Sequence, residues 1–321
     1  IFSGLSAGDY TVTVKDQNDC TATTNTVTIT QPPQLTANAT ISDPIRCFGE
    51  TATIQISASG GTSPYTYNFE GKSSNSTGIF TGITGSVAGT EYDWSVTDAN
   101  GCTTPVQAIT VSEPPELTAT ASAPDVTCNG QTTTVTITAT GGTTPLSYTL
   151  NGVTKTNGTF TGITAGTYNW SVTDANNCGP ETGNLIIDEP EPVTIVSADV
   201  TTPVSCNGGT ATVTIVASGG DENFSYTFNG QTNSTGVFTG VYAGTGLSIQ
   251  VTDGNGCGPV FSSIDVDEPN ILTASLSSTN VTCNGLDNGS ITVNSPSGGS
   301  GNYEYRINAG SWQSNNVFTG L

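Results

Sequence analysis

The chain has no histidine and no methionine, and it carries only 5 Lys+Arg. No run approaches the ~18 consecutive apolar residues that cross a bilayer, which excludes membrane insertion by a helix. Without histidine, Ser-His and Cys-His nucleophile systems are absent, as are most zinc sites. No Walker-type glycine loop is present to cradle phosphate. The few cations stand against 26 Asp+Glu, a net charge of −21, so the surface repels nucleic acid and anionic membranes. Charged residues make up only 10% of the chain, too few for a polyelectrolyte kept disordered by its own charge. No signal peptide is visible and position 1 is Ile, so the sequence reads as an internal piece of something longer. No enzyme activity, cofactor or metal is expected.

Thr, Ser, Asn and Gly dominate instead, interleaved with Val, Ile, Tyr and Phe, a mixture suited to short strands and tight turns. The 8 cysteines are widely spaced, which fits disulfides in an oxidising, extracellular setting; buried free thiols are the alternative. Self-similarity is the strongest signal. "IRCFG", "VTCNG", "VSCNG" and "VTCNG" place Cys47, Cys128, Cys206 and Cys283 at steps of 81, 78 and 77. "VKDQNDC", "VTDANGC", "VTDANNC" and "VTDGNGC" place Cys20, Cys102, Cys178 and Cys257 at steps of 82, 76 and 79. "FSGL", "FTGI", "FTGI", "FTGV" and "FTGL" begin at Phe2, Phe80, Phe160, Phe238 and Phe318. Proline marks the boundaries in "TQPPQL", "SEPPEL", "DEPEPV" and "DEPNIL".

One period of about eighty residues accounts for all four landmarks. Complete repeats are read at 34–115, 116–191 and 192–270, with a C-terminal half-repeat at 1–33 and an N-terminal half-repeat at 271–321. A half-domain leaves unpaired strand edges, so further repeats of the same polypeptide, or neighbouring copies in a fibre, are expected to complete both ends. Within 116–191, "LTATAS", "TVTITAT" and "AGTYNWSVTD" alternate as half-buried strands do, and "PLSYTLNG" closes on an Asn-Gly hairpin turn. With "GTFTGI" and "NLIID" this gives about seven strands, so the fold class is all-β: tandem immunoglobulin-like sandwiches in a linear rod. Tyr168 fits a tyrosine corner, matched by Tyr10 and Tyr92 and broken at Leu247. Two residues on stand Val12, Trp94, Trp170 and Ile249; the exchange of Trp with Val and Ile marks this as a core position rather than a sugar platform.

The recurring turn at Asp98, Asp174 and Asp253 loosely resembles a calcium loop. Each copy offers one carboxylate and an Asn, which a β-turn with Asx hydrogen bonding explains better. Asp221-Glu222 occurs in one copy and reads as a solvated loop. Lys15, Lys72 and Lys155 do not align, against isopeptide cross-links. Trp312 has no counterpart in the other copies, so no repeated aromatic cluster for polysaccharide is evident.

Together "VTCNG", "SGG…PYTY" or "TGG…PLSY", "FTGI…AGTY", "VTDANGC" and "EPP" resemble the SprB-type repeat of giant cell-surface proteins of gliding Bacteroidetes, akin to PKD and other immunoglobulin-like modules. The resemblance implies an extracellular, cell-surface location reached by type IX secretion, and a part in an adhesin or filament. A structural shaft giving reach and tensile strength is expected; the alternative is a repeated binding module for surface polysaccharide. In an immunoglobulin-like strand order the "CNG" turn and the "DANGC" turn lie at opposite poles. Cys47 and Cys102 would then stand a domain length apart, beyond the ~7 Å Cα limit of a disulfide. Staples across successive junctions are therefore expected, Cys47–Cys178 and Cys128–Cys257, leaving Cys20, Cys102, Cys206 and Cys283 for partners outside the sequence. Pairs within one repeat, such as Cys47–Cys102, are the alternative and need a different strand order.

Overall fold

The computed structural model describes residues 1–321 and consists of strands and turns, without a helix. The strands follow the period-2 pattern of their sequences. In Ala52–Ser59, Ala52, Ile54 and Ile56 are buried while Thr53 and Gln55 point away from the core. The chain forms two compact units. One comprises Ile1–Ser122, Thr136–Thr159 and Tyr168–Leu185; the other comprises Ala123–Val135, Phe160–Thr167 and Ile186–Leu321. Repeat 34–115 lies wholly in the first and repeat 192–270 wholly in the second.

In the first unit, strands Thr36–Asp43, Ala52–Ser59 and Ile79–Ile83 make one antiparallel sheet in that order. Gln107–Val111, Thr90–Thr97 and Thr66–Phe69 make the other. Side chains of both sheets meet in one core of Ile54, Ile56, Phe69, Phe80, Trp94 and Val96 among others. Phe69 stacks on Phe80 and Tyr92 with ring centroids 5.1 and 5.3 Å apart.

The second unit repeats the plan. Thr194–Thr202, Ala211–Ser218 and Val237–Val241 form one sheet; Gln231–Asn233, Ser225–Phe228, Gly244–Thr252 and Val260–Val266 form the other. First, second and fifth strands thus pack against the third, fourth, sixth and seventh, the strand order of an immunoglobulin-like sandwich. The third and fourth strands are joined by Asn229-Gly230, with φ of 44° and 84°, the left-handed pair that a two-residue hairpin requires.

Residues 8–29 form two short hairpin sheets, Gly8–Tyr10 with Val27–Ile29 and Thr13–Lys15 with Thr21–Thr23. Thr273–Thr279, Ser290–Ser297 and Val317–Thr319 form a three-stranded sheet. Val14, Val27 and Leu276 are exposed there.

Each sandwich core is small, so single apolar truncations weigh heavily. Ile215→Ala, at a side chain only 2% exposed, is expected to cost about 2–5 kcal/mol in the unfolding of its repeat, read from urea denaturation.

Candidate functional site: the junction between repeats

The chemistry of this chain gathers where one repeat meets the next. In the first unit the linker Glu113–Leu117 is held from both sides. The Glu113 carboxylate accepts the Gly49 amide of the preceding "CFG" turn at 3.1 Å. The Pro115 carbonyl accepts the Gly142 amide of the following repeat at 2.8 Å. Cys47 of that first turn is bonded to Cys178 of the next repeat, with S–S 1.99 Å and Cα atoms 5.5 Å apart. Asn176 donates through Nδ2 to the Arg46 carbonyl at 3.0 Å, beside the disulfide.

The second unit builds the same junction from different residues. Glu189 accepts the Gly130 amide at 2.6 Å, and Asn129 donates to the Pro190 carbonyl at 3.1 Å. Gly220 donates to the Glu191 carbonyl at 2.8 Å. Cys128 is bonded to Cys257, S–S 2.07 Å with Cα atoms 5.4 Å apart, and both belong to the core of repeat 192–270. At the next boundary Glu268 accepts the Gly208 amide, Asn207 donates to the Pro269 carbonyl, and Gly299 donates to the Asn270 carbonyl.

The Gly-Gly turn is what lets the linker come so close. A Cβ on Gly141 would stand 1.8 Å from the Glu116 carbonyl oxygen, and one on Gly219 2.1 Å from that of Pro192. The following glycines, Gly142 and Gly220, take φ of 63° and 59° and leave room for Asp174 and Asp253.

Those aspartates tie the two turns at this pole together. Asp174 is buried; its carboxylate accepts the amides of Asn176 and Cys178 through Oδ1 and of Thr143 through Oδ2, at 2.8–2.9 Å. Asp98 does the same with Asn100, Cys102 and Thr62. Asp253 accepts Cys257 and Asp221. Backbone donors occupy these oxygens, an arrangement suited to a carboxylate and unlike a cation loop. The Thr62 amide is the main cause of an Asp98 pKa below the ordinary 3.8. For Asp174 burial pushes the pKa up, but the amides of Thr143, Cys178 and Asn176 together outweigh it and hold the pKa down. The one-copy pair Asp221-Glu222 lies in a turn, with Glu222 exposed. Asp221 accepts the amides of Asn223 and Gly254, and these lower its pKa too.

Tyr10 donates its hydroxyl to the Ser6 carbonyl at 2.8 Å, and Tyr92 to that of Thr84 at 3.0 Å, both backward along the chain. Tyr168 is half-buried. Trp94 is buried with Nε1 unpartnered, whereas Trp170 is half-buried, its ring packed where Gly183 has no Cβ. Cys20, Cys102, Cys206 and Cys283 are free thiols and exposed. Sequence reasoning missed Glu113, Glu189 and Glu268, taking the repeated "EP" as punctuation. The regular recurrence of an acid before that proline was the available signal. The cleft beside Cys47 and Cys178, lined also by Phe48, Leu117 and Asp174, holds about 190 Å³, below the roughly 300 Å³ at which ligand pockets begin.

Four segments, 39–71, 120–155, 198–233 and 275–311, match the SprB repeat family. This chain is an array of SprB repeats. Each matched segment includes the first two strands of its repeat and the turn between them that carries Cys47, Cys128, Cys206 or Cys283. No curated protein matches the sequence. Among solved structures, the array is similar to three N-terminal domains of the bacteriophage RB49 outer capsid protein Hoc. That match has 12% identity and TM-score 0.35, covering 72% of this chain and 95% of that one. The Escherichia coli adhesin FdeC matches at 19% identity and TM-score 0.27, covering 71% of this chain and 96% of its own. At those scores the likeness adds nothing to the strand order described above.

The aspartate pKa values are lowered on folding, so their stabilisation is complete above pH 3.8 and is lost as pH falls through the lowered folded values. Asp174→Ala, which strands three backbone amides, is expected to destabilise its repeat by about 1–3 kcal/mol at pH 7. The gap to the parent should narrow as pH falls below 3.8, as read from urea midpoints across pH.

Proposed function

We propose that this SprB-repeat array is a shaft segment of a secreted cell-surface adhesin or extracellular filament, supplying reach and tensile strength for adhesion or gliding. The observation that carries this is the junction. Two boundaries place a linker between a glutamate-capped turn and a Gly-Gly turn, then add a disulfide from one repeat to the next. Such a boundary restricts bending of a kind that a bare Pro linker leaves open. The disulfides belong to an oxidising compartment, consistent with export to the cell surface, here through the type IX route. Cys206 and Cys283, and upstream Cys20 and Cys102, would make the same bonds with further repeats or neighbouring copies. No catalysis is assigned.

A second reading, binding of surface polysaccharide, is favoured by one feature. An open hollow of about 580 Å³, lined by Thr149, Asn151, Asn169, Ser171 and Asn184, presents amides and hydroxyls beside Trp170. Saturable binding of the chain on a glycan array, abolished by Asn169→Ala with Asn184→Ala, would favour this module over the shaft.

Small-angle scattering tests the shaft. The oxidised chain is expected to be elongated, with a maximum dimension that spreads on reduction while far-UV circular dichroism is unchanged. A compact particle in the oxidised state would refute it.

A further inference from the structure

The two disulfides interleave along the sequence: Cys128 lies inside the loop closed by Cys47–Cys178, while its partner Cys257 lies outside it. Loops of 131 and 129 residues that overlap in this way do not act as two separate loops. They create two cystine nodes joined by three covalent arms. The arms run from Cys47 to Cys128, from Cys128 to Cys178 and from Cys178 to Cys257, about 81, 50 and 79 peptide links long. The linker at Pro114-Pro115 lies in the first arm and the linker at Pro190 in the third.

We infer that this three-armed connection is a redundant limit on extension, so that neither the loss of one staple nor a cut in one linker frees the chain to pull out. The inference deepens the tensile reading of the array. It depends only on which sulfurs are joined and so stands or falls separately from the shape of the chain. When every repeat is unfolded under tension, the shortest covalent path runs from Ile1 to Cys47 and across to Cys178. It then goes backward to Cys128, across to Cys257, and on to Leu321. That path holds about 160 peptide links against about 320 for the bare backbone, or ~560 Å against ~1,100 Å at roughly 3.5 Å per residue. Removing either staple leaves about 190 links, ~660 Å, because the remaining loop takes over most of the shortening. Two loops of these sizes laid end to end would behave otherwise. Together they would leave about 60 links, and losing one would then lengthen the path threefold.

Single-molecule pulling of the full chain by its termini reads these lengths directly. The oxidised parent is expected to stop near 560 Å, Cys47→Ser with Cys178→Ser and Cys128→Ser with Cys257→Ser each near 660 Å, and the chain in a phosphine reductant near 1,100 Å. An oxidised parent that extends to ~1,100 Å would overturn the inference. So would a paired variant near 940 Å, the length expected if Cys47 and Cys178 were bonded within their own repeats and only one such bond survived. A compact scattering profile alongside the expected lengths would sink the shaft while leaving the covalent path intact.

Discussion

Everything at a repeat boundary depends on how closely the linker backbone can approach the Gly-Gly turn. Only a residue without Cβ permits the Glu116 and Pro192 carbonyls to sit where they do, against Gly141 and Gly219. That approach brings the next glycine amide onto the linker carbonyl one residue away, Gly142 on Pro115 and Gly220 on Glu191. It also sets the aspartate below the turn, where its carboxylate gathers amides from the Gly-Gly side and from the cysteine side together. The cysteine amide is one of those donors. The position of the cross-repeat sulfur is thus fixed by the same carboxylate that fixes the turn. A side chain on either glycine would disturb the linker, the aspartate and the disulfide at once, because the three share one set of backbone contacts.

Much of this was legible in the residues because strands and turns leave strong local signals. Alternation in "TVTITAT" and in "AGTYNWSVTD" reports one buried face, and the structure has strands at Thr133–Thr140 and Gly166–Thr173. Asn151-Gly152 and Asn229-Gly230 need left-handed φ, and hairpin turns stand at both. The glutamates were not legible as anything but linker residues, since their partners lie some sixty positions back, at Gly49, Gly130 and Gly208. The recurrence of an acid before the proline marks the position, but it does not say that the carboxylate turns toward an amide so far away. Asp221 differs from its sister positions in what it accepts. Present in one copy only, it takes the amides of Asn223 and Gly254 on its carboxylate, where the hydroxyls of Thr62 and Thr143 accept the side-chain amides of Asn100 and Asn176.

Trp170 shows how a repeated position can keep its register while changing its surroundings. Trp94 and Ile249, at the same place in the period, are buried, but opposite Trp170 the neighbouring strand supplies Gly183 instead of the Gln107 that faces Trp94. The large ring fills the space of the missing side chain and remains half open to solvent. Periodicity predicts the face a residue points to. It does not predict how well that face is covered, which depends on a residue more than ten positions further along.

The location of the disulfides follows from the economy of a small sandwich. Repeats 34–115 and 192–270 each have a continuous apolar core of Ile, Val, Phe and Tyr, and their two sheets need no cross-link to stay together. What such a core cannot supply is a covalent link between repeats, where the linker is held by hydrogen bonds worth about 1 kcal/mol each. A bond placed inside a repeat would strengthen what is already stable. Placed at the pole, between the first turn of one repeat and the turn before the last strand of the next, it acts on the weakest boundary and skips over the linker. Because each repeat has such a turn at both poles, successive bonds must overlap in sequence, as Cys47–Cys178 and Cys128–Cys257 do. Interleaving is therefore a consequence of sandwich polarity and a fixed period, and it needs no further device to specify it.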